Sequence, residues 1–162
     1  LFETERCLIV PFQQSDTQDV KNLYLDSEVR KYLGGIRPYD SIKVQLDVML
    51  NPSKDSYYWV VREKYTADFI GLVSLDPHHE GMFKEISYQF LPSQWGQGYA
   101  TEAVSVIIHF ALNELNLSTV VAETQIANKP SCKLLKKLGM KLERTVFRFG
   151  TEQAIYSIRS SK

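Results

Sequence analysis

The segment Gln94–Ala103, QWGQGYATEA, sets two glycines one residue apart in front of a run with helical spacing. Gly96 and Gly98 lack Cβ, so the main chain there can take positive φ and approach a ligand closely. The N–H groups of such a turn converge, and the helix that follows adds about half a positive charge at its start. That combination suits phosphates. A glycine pair can equally serve a tight strand-to-helix connection with no ligand at all. Two phosphate motifs are excluded. A P-loop needs Lys and then Ser or Thr after its last glycine, whereas Tyr99 and Ala100 follow Gly98. A dinucleotide fingerprint needs a third glycine where Thr101 stands.

The second segment is Asn128–Met140, NKPSCKLLKKLGM. Asn128 opens a helix as an N-cap would, and Ser131 lies in its first turn. Taken alone, this is a capped helix with a solvated serine. A glycine turn and helix, then a strand, then Asn-x-x-Ser opening a helix that ends in Leu-Gly-Met, is a more specific order. Other chemistry-bearing residues read as structural. His78 and His79 are adjacent in DPHHE and point to opposite faces of an extended segment, so they do not share a metal, and no metal site is expected. His109 is isolated on a helix. Cys132 reads as a small core residue, not a nucleophile.

The elements that position these residues follow from period and punctuation. Cys7–Pro11 reads as a strand. Ser15 or Asp16 caps a helix to about Leu25, and Asp40 or Ser41 caps a second one carrying Ile42, Val44, Leu46, Val48 and Met49. Tyr57–Glu63, Asp68–Asp76 and Lys84–Pro92 read as antiparallel strands, with Gly71 a bulge or close approach. In the third, Ile86, Tyr88 and Phe90 point one way and Glu85, Ser87 and Gln89 the other. A long helix is expected over about Ala100–Leu117, a strand over Ser118–Gln125, the helix from Asn128, and strands over about Met140–Phe147 and Gln153–Ile158. The expected fold is α+β, a mixed sheet with helices packed on it.

Length and composition bound the rest. The 162 residues fit one domain over 1–162, with 44% hydrophobic and 23% charged residues, as in a folded globular chain. Nineteen basic and nineteen acidic residues argue against non-specific binding of nucleic acid or anionic membrane. No apolar run reaches the roughly 18 residues of a membrane span. The opening LFETERCLIV has no signal-peptide pattern, and Cys7 and Cys132 are too few for a disulfide scaffold, so a cytoplasmic location is expected.

With these segments in place, the sequence resembles the GNAT superfamily of acyl-CoA-dependent N-acetyltransferases, in the RimJ/RimL branch of ribosomal-protein N-terminal acetyltransferases. The superfamily turn is Gln/Arg-x-x-Gly-x-Gly/Ala. Here WGQGYA (Trp95–Ala100) fits it, with Trp95 in the first slot as this branch commonly has in WGxGYATEA. TERCLIVPF (Thr4–Phe12), the LGG loop and the Asn-x-x-Ser helix extend the likeness over nearly the whole chain. The resemblance implies a mostly antiparallel sheet, helices on both faces, and a central strand pair, Lys84–Leu91 and Ser118–Gln125, that splays around acetyl-CoA, the cosubstrate. Amides of Gly96, Gln97, Gly98, Tyr99, Ala100 and Thr101 would hold the diphosphate. The amide of Phe90 or Leu91 would polarise the thioester. Asn128 would bond the pantetheine, and Ser131 would protonate the departing thiolate. Lys133 and Lys136 would meet the 3′-phosphate or simply face solvent. Glu85 matches a carboxylate of this branch and would be the base, its alternative being an exposed charge on a polar strand face.

The implied reaction moves an acetyl group to a primary amine, on a protein N-terminus or a small molecule, by direct attack in a ternary complex. The alternative is a non-catalytic acyl-CoA sensor. Arg30–Tyr39, Trp59 and the loop after Asp76 would line the acceptor side, with no evident cluster of acids. A homodimer accords with the branch.

Overall fold

The computed structural model describes residues 1–161; Lys162, the last residue of the expected domain, lies outside the described residues. A two-residue strand β1 (Phe2–Glu3), too short to show a pattern in the sequence, precedes β2 (Cys7–Pro11). A 3-10 turn leads to α1 (Thr17–Tyr24), then come α2 (Tyr39–Leu50), β3 (Tyr57–Glu63), β4 (Phe69–Pro77) and β5 (Lys84–Phe90). They are followed by α3 (Tyr99–Asn113), β6 (Thr119–Gln125), α4 (Lys129–Lys137), β7 (Lys141–Arg148) and β8 (Thr151–Arg159). The strands form one sheet in the order β1-β2-β3-β4-β5-β6-β8-β7. Every neighbouring pair is antiparallel except β5–β6. The final hairpin turns at Phe149 and Gly150, both at positive φ. Its more apolar strand β8, with Ala154, Ile155 and Tyr156 buried, takes the inner place, and β7 is left at the edge.

Helices cover both faces, each over its own core. On one side Cys7, Ile9, Ile70, Ile86 and Phe90 meet Val104 and Ile107 of α3 and Leu135 of α4. On the other Val60, Phe69 and Leu72 meet Val20, Leu23, Ile42 and Leu46 of α1 and α2. Two expected boundaries move. Helix α2 starts at Tyr39 after Pro38, with no side-chain cap, so neither Asp40 nor Ser41 caps it. Helix α3 stops at Asn113, because Asn116 takes φ 56° and the Leu117 amide turns back to the Ala111 carbonyl at 3.0 Å.

The register of β3 against β4 slips by one residue opposite Ile70, next to Gly71. A Cβ on Gly71 would stand 2.5 Å from Phe90 Cδ1 and 2.6 Å from the Gln89 carbonyl oxygen. No side chain fits there without moving β5. Gly71→Ala is therefore expected to destabilise the fold by about 1–3 kcal/mol, read as a lower urea midpoint with an unchanged m-value. An unaltered midpoint would mean that β5 yields freely.

Candidate active site

The parallel pair β5–β6 is joined only at Lys84↔Val120 and Glu85↔Val121. Beyond it the strands diverge. The main-chain direction of each β5 residue follows from the ladder ends: Phe83 O accepts from His78 N and Leu91 N donates to Ile70 O. Odd-numbered residues thus face β4, and by alternation Ile86, Tyr88 and Phe90 face the gap. A continued ladder would bring the Glu123 amide to the Ile86 carbonyl. Instead that amide donates to Glu85 Oε2 at 3.3 Å. The Glu85 carboxylate stands where the ladder ends. Of the two amides expected at the thioester, Leu91's is engaged with Ile70 at 3.0 Å, which excludes it from that task. Phe90's faces the gap, and its carbonyl accepts from the Trp95 indole at 2.8 Å.

The glycine turn caps the open end of this gap. Gly96 and Gly98 have φ 75° and 82°, a conformation L side chains rarely adopt. Glu102 is the first residue of α3 whose amide finds a helical acceptor, Gly98 O at 3.0 Å. Among the described residues no acceptor meets the amides from Gly96 to Thr101. Unengaged N–H groups at the start of a fifteen-residue helix suit an anion. The Glu102 carboxylate takes the Arg6 amide at 2.9 Å, Arg6 Nε at 2.8 Å and the Thr4 hydroxyl. The Arg6 guanidinium also bonds the Gln97 carbonyl at 2.9 Å and lies over the Tyr99 ring. The opening segment thus braces the turn and brings a cation beside it.

Across the gap, Asn128 Oδ1 accepts the Ser131 amide at 3.2 Å and caps α4. Ser131 Oγ lies 2.6 Å from the Tyr88 hydroxyl. Burial pushes the Tyr88 phenol up to about 12, although the Ser131 hydrogen bond opposes this, so it stays a hydroxyl at neutral pH. Lys133 and Lys136 are exposed.

Glu85 is pushed up to about 7, first by burial and then by the charges of Asp76 and Glu123, against the Glu123 amide and Arg148. Asp76 is its cross-strand partner and is itself raised by burial. Glu123, its side chain 4% exposed, has partners Glu85 lacks: Arg148 Nε at 3.0 Å and His78 Nε2 at 2.7 Å. His78 Nδ1 accepts the Glu80 amide at 3.3 Å, which leaves the ring proton on Nε2 facing Glu123. Acids therefore do cluster here, contrary to the sequence reading, and buried His78 is part of their network. Trp59, expected on the acceptor side, is buried under α3 and stacked on Tyr57.

A splayed strand pair, an amide turn at its mouth and a carboxylate at its apex form one arrangement. The family described as "Acetyltransferase (GNAT) domain" matches residues 6–141. The chain belongs to the GNAT acetyltransferase family. It is an acyltransferase with acetyl-CoA as cosubstrate, and its N-acetyl transfer is to an amine acceptor. The acetyltransferase is 30% identical over 148 residues to the uncharacterized N-acetyltransferase p20 of Bacillus licheniformis, covering 86% of this chain and 82% of that one. It is 29% identical over 141 residues to the uncharacterized N-acetyltransferase YnaD of Bacillus subtilis (strain 168), with 86% and 82% covered. In fold it is similar to a GNAT acetyltransferase of Bacillus anthracis, with a TM-score of 0.85, 22% identity and coverage of 99% and 98%. The spermidine N-acetyltransferase of Vibrio cholerae, in complex with CoA and spermine, gives 0.85 at 17% identity, with 98% of both chains covered. Among the described residues, no helix of the acetyltransferase is long and apolar enough to cross a membrane.

Proposed function

We propose that the chain acts as one catalytic unit over residues 1–162, of the RimJ/RimL branch, acetylating a primary amine by direct attack in a ternary complex with Glu85 as base. The observation that carries this reading is the Glu85 carboxylate at the end of the β5–β6 ladder, held by the Glu123 amide. Acetyl-CoA supplies an acyl group activated as a thioester. The amides of Gly96, Gln97, Gly98, Tyr99, Ala100 and Thr101 bind its diphosphate, and the open edge of β5 binds the pantetheine arm as an added strand would. Phe90 N–H is aimed at the thioester oxygen, where negative charge develops. Asn128 has its Nδ2 left for the pantetheine amide, since Oδ1 caps α4.

Glu85 takes the proton that the amine must lose, directly or through water. Ser131, backed by the Tyr88 hydroxyl, gives a proton to the departing sulfur, and solvent restores the balance. Because a CoA thiolate is already a tolerable leaving group, Ser131→Ala and Tyr88→Phe are each expected to lower kcat only about 3- to 10-fold, below the usual range for acid–base groups. Unchanged turnover in both would remove the acid role. A cytoplasmic homodimer belongs to the same proposal. The sensor alternative requires no base at the apex, where Glu85 stands.

Glu85 is raised first by burial and then by the charges of Asp76 and Glu123. Glu123 is paired with Arg148 and His78, and its charge is one of the causes that raise Glu85. Removing it in Glu123→Gln lowers the Glu85 value. The limb of the pH–rate profile near 7 then moves to lower pH, and activity at pH 6 rises several-fold relative to activity at pH 8. A limb that stays in place would separate Glu123 from the base.

A further inference from the structure

Seven arginines occur in the chain. Arg6, Arg62, Arg144, Arg148 and Arg159 each have a carboxylate partner. Arg30 and Arg37 have none among the described residues, and both are half-buried on the segment joining α1 to α2. Burial, and then repulsion by Arg37, hold the Arg30 guanidinium below its ordinary value, with only Tyr24 opposing. Two neighbouring cations removed from water with no acid to meet them are unfavourable unless something anionic joins them.

Their place follows from β5. Arg30 donates through one terminal nitrogen to Gln89 Oε1 at 3.3 Å. Gln89 lies on the same sheet face as Glu85 and Ser87, so Arg30 meets β5 four residues, about 13 Å along the strand, from the base. The two arginines differ in what they can give. Arg30 also bonds the carbonyls of Gly35 at 3.0 Å and Leu33 at 2.6 Å and so holds the loop. Arg37 directs Nε and one terminal nitrogen to a single neutral oxygen, Ser41 Oγ, at 3.1 and 2.9 Å. Its carbon lies 5.0 Å from the Tyr24 ring centre, which orients the fork. Its other terminal nitrogen has no protein acceptor among the described residues.

We propose that Arg37, with Arg30 positioning it, forms an anion subsite at the far end of the acceptor groove, so that the acceptor is an amine carrying a carboxylate or phosphate group. This rests on the reading of Glu85 as the base that meets the amine. It distinguishes the chain from an enzyme for polyamines, whose second ammonium would meet two guanidiniums.

The test compares ω-amino carboxylates and ω-aminoalkyl phosphates of graded length with α,ω-diamines and simple alkylamines of the same lengths. The expected result is a kcat/KM for the best anionic acceptor about 10- to 100-fold above that of its diamine, the two phosphate and carboxylate arms deciding which anion is native. Arg37→Gln collapses that ratio, and Arg37→Lys restores part of it. Calorimetry of the amino carboxylate on the CoA complex is read alongside. Binding that Arg37→Gln abolishes, without turnover of any amine, would keep the subsite and sink the base. Diamines preferred over anionic acceptors, a ratio that Arg37→Gln leaves alone, or a loss of CoA affinity in its place would overturn the proposal.

Discussion

Glu85→Gln is expected to lower kcat about 100- to 10,000-fold while leaving the affinity for CoA near that of the parent enzyme. Glutamine keeps the size of the side chain and can still accept the Glu123 amide, so the apex of the splay persists and only the proton acceptor is lost. The pH dependence carries the sharper signature. A base must be ionised to act, so log(kcat/KM) for the acceptor rises with pH through the Glu85 value, about 7, and rises further as the amine itself deprotonates at higher pH. In Glu85→Gln the lower limb disappears and only the limb of the amine remains. The parent limb lies this high because burial and the charges of Asp76 and Glu123 disfavour the carboxylate. A variant with parental kcat, or one that keeps the limb near 7, would remove Glu85 from the chemistry.

Gly98→Val is expected to weaken CoA binding by at least about 10- to 100-fold with little change in the urea m-value. Gly98 has φ 82°, and a non-glycine residue held there costs about 1–2 kcal/mol. A Cβ at this position would also stand 3.3 Å from the outer nitrogen of Arg6, the side chain that bonds Gln97 O. The turn must then rotate, and amides from Gln97 to Thr101 lose their common focus. Each hydrogen bond to a charged group that is lost removes about 1.5–3 kcal/mol, which is the stated range in affinity. The measurement is CoA dissociation by calorimetry in both proteins. Equal dissociation constants would place the diphosphate elsewhere.

Local chemistry made much of the site legible. The spacing of Gly96 and Gly98 marked the turn, and the two-residue period of Lys84–Phe90 separated Glu85, Ser87 and Gln89 from Ile86, Tyr88 and Phe90 as the sheet does. What escaped the sequence depends on contacts between distant segments. The β5–β6 register rests on two residue pairs, and nothing local shows that His78 and Arg148 meet Glu123, whose amide bonds Glu85. The Tyr88–Ser131 contact spans 43 positions. Alternation shows that Trp59 and Val60 point apart, but not which helices each meets, so it does not reveal that Trp59 lies under α3. The apolar stripe of α3 continues to Leu115, beyond its last helical residue Asn113, so periodicity alone does not mark the end that Asn116 at φ 56° fixes.

Backbone amide resonances followed by 15N-correlated NMR during titration with CoA show which main-chain donors meet the diphosphate. The amides from Gly96 to Thr101 are expected to shift furthest and saturate at one equivalent, followed by those of Tyr88 and Phe90 along the open edge of β5. Saturation with the turn amides unmoved and the largest shifts elsewhere, or no shift at any concentration, would contradict this placement of the diphosphate.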